Sequence, residues 1–285
     1  IDGIAAGNFT TAQSYLVDLA KDEKERASNL GLIGATFGIG FMIGPLIGGA
    51  LSTISHSFPF WFAGGLALLN GIVAIFMLPE TNMNRNETRI KYNPLTPLLR
   101  AYQNTKLHPL FITWLIFSSA FVTSQTIFAL FTQKAFGFSA FHTGLFFTGI
   151  GIIVALNQTV LLKRFWLHHF TEHQLELIML LILSAATGLM ATKNIYLFFL
   201  AIPLLGTGQA VIRVVVTSRA VGQVDPKAKG EITGILASLM TLSMVLGPII
   251  AGKLFEQNES YPFILSSVVL ATGFVLAKRN DVVKH

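Results

Sequence analysis

Nine runs in this chain are each long and apolar enough to cross a bilayer: 1–20, 29–53, 58–79, 109–132, 141–162, 174–192, 195–220, 231–254 and 261–277. A spanning helix needs about 20 mainly apolar residues, and strands in globular proteins rarely exceed about 10. The runs are continuous rather than alternating, which excludes the two-residue period of a transmembrane barrel. The expected fold class is therefore an all-α polytopic membrane protein. Composition agrees: 52% of the 285 residues are hydrophobic, 12% are charged, and the mean hydropathy is +0.62. No ordinary soluble domain of this size has such a balance.

The few charges are bunched between the runs, and they orient the chain. With the 21–28 loop in the cytoplasm and the helices alternating, sixteen of the twenty Lys and Arg fall on inner segments. Those segments are 21–28, 80–108, 163–173, 221–230 and the carboxy terminus, with Arg219 counted at the inner end of 195–220. Only Lys134, Lys193 and Lys253 fall outside, and Arg213 lies within a helix. Such a bias is the positive-inside signature of a cell (inner) membrane protein. The net charge of +6 thus reports topology, and no nucleic-acid partner is expected. Cysteine is absent, which excludes disulfides and thiolate metal sites. No metal-spaced cluster, phosphate loop or nucleophile–base pair stands out, so neither a cofactor nor an enzymatic activity is expected. Ile1 lies inside an apolar run without a basic start, so no cleavable leader is expected.

Residues 1–80 and 204–280 superimpose at a constant offset of 203. Gly3 falls on Gly206, Asp22 on Asp225, Gly31 on Gly234, Gly44-Pro45 on Gly247-Pro248, and Pro59-Phe60 on Pro262-Phe263. Parallel repeats of apolar helices are one way to build a secondary transporter. The two copies are separated by a polar cytoplasmic linker, 81–108, with five basic residues and several asparagines. Three helices precede it (1–80) and six follow it (109–285). Six plus six is the symmetrical number, so the chain is expected to lack the first three helices of its amino-terminal half.

Helix 29–53 carries Gly31, Gly40, Gly44, Pro45, Gly48 and Gly49. Their spacing resembles the antiporter signature of the major facilitator superfamily: glycine, eight residues, glycine, three residues, then Gly-Pro-x-x-Gly-Gly. The preceding IDGIAAGNFTTAQSYLVDLAKDEKERA and the later KGEITGILASLMTLSMVLGPIIAG resemble the fourth and eleventh helices of tetracycline-resistance-type drug:proton antiporters. The resemblance numbers the spans as helices four to twelve of twelve. It implies secondary active transport by alternating access: proton-coupled efflux of small amphiphilic compounds. The partners implied are the substrate, protons and the lipid bilayer, and the complete protein is expected to be a monomer. Two alternatives stay open: a facilitator of a metabolite, sugar or siderophore, and a truncated fragment that does not transport.

Gly40, Gly44 and Gly48 recur every fourth residue, removing side chains from one face so that another helix can approach. Gly44-Pro45 and its repeat Gly247-Pro248 add breaks in the hydrogen-bond ladder, as a hinge at a moving seam requires. In the resembled fold helix five meets helix eight, which offers Gly144, Gly149 and Gly151. Helix eleven's partner there is helix two, so Gly247 is expected to lack its neighbour.

Polar groups inside the spans mark candidate cavity residues. Gln209, Arg213 and Thr217 lie four apart on one helix face; Arg213 either contacts cargo or an acid, or snorkels to the headgroups. Asn8 and Tyr15 belong to a polar stripe with Thr11 and Asp18. Phe117, Phe121, Gln125 and Phe128 form an aromatic stripe. The resemblance places helices four, seven and ten on the central cavity, so Asn8, Tyr15, Phe121, Gln125, Gln209 and Arg213 are its expected lining; packing against lipid or another helix is the other use of such stripes. Asn70, Asn157 and Gln158 are expected to hydrogen-bond between helices. Asp18, Glu25 and Arg26 flank one cytoplasmic loop, and Asp225 and Glu231 flank its repeat, as a charged gate or as solvated surface.

Overall fold

The computed structural model describes residues 15, 19, 36, 39–40, 43–78, 99, 107–224 and 229–282. Every regular element among them is helical. Ile43–Ser52 (α1) leads to Phe58–Met77 (α2). Then come His108–Phe136 (α3), Ala140–Leu156 (α4), Glu172–Ala191 (α5), Ile195–Gly222 (α6), Lys229–Gln257 (α7) and Tyr261–Val282 (α8). Helix α4 continues as a π-helix, Asn157–Trp166, and a final α-turn, Leu167–His169. Seven helices, α2 to α8 with α4 taken to His169, are long and apolar enough to cross a membrane. The chain is thus the expected multi-pass helical bundle. The span expected at 1–20, most of that at 29–53 and nearly all of 81–108 lie outside the described residues.

The helices outrun their apolar windows by about a turn. On α3 the polar Gln133 and Lys134 are still helical, and the stop comes at Gly137. Its φ of 68° is left-handed, and its N–H returns to the Gln133 and Thr132 carbonyls; glycine takes this conformation at no steric cost. Helix α5 begins with a capping box, in which Thr171 and Gln174 each take up the other's backbone N–H. Such a cap satisfies donors that the helix itself leaves unpaired.

Helix α6 lies along α5, α7 along α3, and α8 along both α3 and α5, while α4 leans on α6. Within a bilayer apolar burial does not drive helices together, so close fit and hydrogen bonds must. The Trp114 indole donates to the Leu236 carbonyl at 2.8 Å, and Ser118 and Ser243 share a 2.8 Å bond. Ser124 donates to Ser266 at 3.0 Å, and Ser184 to the Ser267 carbonyl at 2.9 Å. Each such bond contributes about 0.6 kcal/mol. Helix α2 differs: no side chain on it is buried, and Phe60, Trp61, Ile75 and Phe76 are wide open. That is a lipid-type surface.

Candidate functional site

On α3, Phe117, Phe121, Gln125 and Phe128 stand at i, i+4, i+8 and i+11, which brings them onto one stripe. The stripe is one wall of a cavity of about 530 Å³. Phe147 and Ile150 of α4, Leu183, Thr187 and Met190 of α5, Leu205 and Gln209 of α6 and Leu270 of α8 complete it. The shape is a slot: the part a water molecule can reach has room for roughly two or three. Ser124 and Thr187 spend their hydroxyl protons on Ser266 and on the Leu183 and Ser184 carbonyls. What remains facing the slot is ring surface plus the Gln125 and Gln209 amides.

Arg213, one turn along α6 from Gln209, lays its guanidinium 5.8 Å from the centre of the Phe121 ring. A cation over an aromatic face is attracted by about 0.5–2 kcal/mol, depending on desolvation. The residue is exposed. No carboxylate lines the cavity among the described residues.

Charged clamps close both ends of this bundle. At one end Lys134 of α3 and Lys193 of the α5–α6 turn both bind Glu259 of the α7–α8 turn, the first at 2.9 Å. Their hydrogen bonds hold the Glu259 carboxyl down at about 2. At the other end Glu176 of α5, 2% exposed, is paired with Arg219 of α6, with His173 3.5 Å away. Ser218 donates to Glu172 beside them at 2.8 Å. In the π-segment, Asn157 donates to Thr207 of α6 at 3.2 Å and accepts from the Trp166 indole at 2.9 Å.

Helices α1 and α4 meet backbone to backbone. A Cβ built on Gly144 would run into the Pro45 carbonyl oxygen and stand 3.4 Å from the Gly49 Cα; one on Gly49 would stand 3.0 Å from the Ala140 oxygen. Only residues without side chains permit this approach.

The sequence fits the description of the Major Facilitator Superfamily over residues 1–171 and 174–284. This chain belongs to the major facilitator superfamily. Multidrug resistance protein 1 of Bacillus subtilis (strain 168) is 32% identical over 279 residues, a stretch covering 97% of this chain and 70% of that relative. The quinolone resistance protein NorA of Staphylococcus aureus (strain COL) is 26% identical over the same shares. The crystal structure of the human organic anion transporter MFSD10 (TETRAN) superimposes with a TM-score of 0.69 at 24% identity, covering 96% of this chain and 68% of that one. The facilitator is thus a membrane transporter by family, and these bacterial relatives are named for drug resistance.

Of the residues singled out from the facilitator's sequence, Phe121, Gln125 and Gln209 lie together on the cavity, and Arg213 lies over Phe121 beside it. Tyr15 is helical and half-buried, but not among the lining residues. Asn8, Asp18, Glu25, Arg26, Gly31 and Asp225 lie outside the described residues. Glu231 is exposed in the first turn of α7. Gly40, Gly44 and Gly48 meet nothing where a Cβ would stand, and Gly44 and Gly48 line an open groove shared with Asn70 of α2. It is Pro45 and Gly49 that touch α4. Gly247 does not lack a neighbour: a Cβ there would stand 2.8 Å from Val122 Cγ1, so this face of α7 packs on α3, with the adjacent Pro248 exposed. The expectation failed because spacing identifies a bare face without naming what lies against it. Phe147, Thr187, Met190 and Leu205 were missed, being indistinguishable in sequence from ordinary helix packing. Glu176 left a usable signal: a carboxylate two residues inside an apolar run.

Proposed function

We propose that the chain works as a proton-coupled exporter of small amphiphilic compounds by alternating access. The observation that carries this reading is the cavity: a narrow aromatic slot, poor in polar groups, lined by Gln125 and Gln209, with Arg213 against its Phe121 wall. Relatives named for multidrug and quinolone resistance support the same cargo class. Residues 1–80 and 109–285 belong to two halves that rock about a midplane site, joined through the cytoplasmic linker 81–108. The backbone contact of Pro45 and Gly49 with Gly144 is the seam between them, with Gly44-Pro45 and Gly247-Pro248 as the flexible points. Lys134, Lys193 and Glu259 face outward across the inner membrane. Asp18, Glu25 and Arg26 with Asp225 and Glu231 form the cytoplasmic gate, and the working unit is a monomer.

Inverted membrane vesicles test this. Energised vesicles carrying the chain are expected to accumulate norfloxacin, and a protonophore to abolish the accumulation. Movement that ignores the proton gradient refutes the coupling, and no movement refutes the export reading.

A further inference from the structure

We propose that the cavity selects amphiphiles bearing an oxyanion (a carboxylate or sulfonate on a flat ring system), and that Arg213 receives the anionic group. The proposal rests on the export reading and specifies its cargo.

Four observations converge on it. Arg213 sits against Phe121, which itself lines the slot. A guanidinium held over a ring spends none of its five N–H donors on it, and their planar fork can bind a carboxylate two-pronged. Arg219 is paired with Glu176, and Lys134 and Lys193 share Glu259, whereas Arg213, inside a span, has no carboxylate partner among the described residues. No acid lines the slot among them either, so an organic cation would meet repulsion and no counter-charge. Finally, the Gln125 and Gln209 amides have no hydrogen-bond partner among the described residues, although Gln209 is only 8% exposed. An amide N–H₂ can donate to the same oxyanion or to a ring substituent. Gln209 lies one turn from Arg213, about 6 Å along the helix axis. The favoured ligand therefore has its acid at the Arg213 level and its rings beyond, among Phe121, Phe128 and Phe147. An arginine within a span with no acid beside it among the described residues is costly and marks function by default.

Pyrene probes of one shape isolate the charge: 1-pyrenebutyrate, 1-pyrenebutanol and 1-pyrenebutylamine. Binding to the full chain in nanodiscs is read by fluorescence anisotropy, with empty nanodiscs subtracted. The butyrate is expected to bind about 10- to 100-fold more tightly than the amine, the factor that a charge-assisted hydrogen bond supplies. Arg213→Gln should level the series, and Arg213→Lys should keep part of the preference because charge survives without the fork. If the glutamine variant does not fold, the lysine variant and a salt titration of the wild type decide, since salt should weaken the butyrate alone. Equal or tighter binding of the amine, or an equal loss of all three probes in Arg213→Gln, overturns the proposal and leaves Arg213 a packing residue. The butyrate preference without any vesicle transport sinks the export reading and leaves this one standing. Export of norfloxacin with no butyrate preference does the reverse.

Discussion

Replacing Gly144 by alanine puts a methyl group against backbone. The new Cβ would collide with the Pro45 carbonyl oxygen, lie 3.2 Å from that residue's carbonyl carbon and 3.4 Å from the Gly49 Cα. To recover ordinary contact, α1 must retreat from α4 by roughly 0.5–1 Å, a gap that forfeits a quarter to a half of the attraction of each atom pair across it. Overpacking of this kind costs about 1–3 kcal/mol, and Gly144→Val should lie at or above the upper end. The obstacle is a main-chain oxygen, so truncating side chains on α1 gives no relief. Unfolding of the purified protein by SDS titration in mixed micelles measures the cost, and vesicle transport measures what the displaced seam does to turnover. Stability within about 0.5 kcal/mol of wild type, the scatter of an uninvolved surface site, together with unchanged transport, would refute the argument that α1 and α4 meet through bare backbone.

Gly247→Ala meets a side chain instead, with Val122 Cγ1 2.8 Å from the new methyl; it should cost about 1–2 kcal/mol, and adding Val122→Ala should recover more than half, as a double-mutant cycle would report. Arg219→Gln strands the buried Glu176 carboxylate and should destabilise by about 3–5 kcal/mol, whereas Glu176→Gln with Arg219→Gln should cost much less than the sum of the two changes. Glu259 is depressed to about 2 by Lys134 and Lys193. A lowered acid contributes fully above its unfolded value and loses that contribution as pH falls through the folded one. The stability difference between wild type and Glu259→Gln should therefore be constant from about pH 6 to 9 and shrink below about pH 5, as thermal melts across pH would check.

The spans were legible because apolar length is a local property: each window from 58–79 onward coincides with a helix to within a few residues. The α3 wall was legible for a similar reason, since Phe117, Phe121, Gln125 and Phe128 repeat at helical spacing whatever surrounds them. Their cavity partners were not. Met190 and Leu205 line it only because α5 and α6 present those particular faces, and helix rotation is set by neighbours distant in sequence. The glycine signature shows the same limit. The bare positions at 44 and 48 were readable, yet the helix that approaches most closely does so at Pro45 and Gly49, one position round. The Glu259 clamp is assembled from three separate turns and has no spacing to read.

The π-segment at Asn157–Trp166 undermines any helical wheel drawn through 140–169. An α-helix turns about 100° per residue, and a π-helix, with bonds from i to i+5 and about 4.4 residues per turn, only about 82°. Over ten residues the lag approaches half a revolution, and at Lys163 and Arg164 it is already about a third of one relative to an α-helical projection. The bond from the Trp166 indole to Asn157 carries the mark of that lag. Nine residues apart, the two side chains lie on opposite sides of an α-helix; two full π-turns bring them back to the same side.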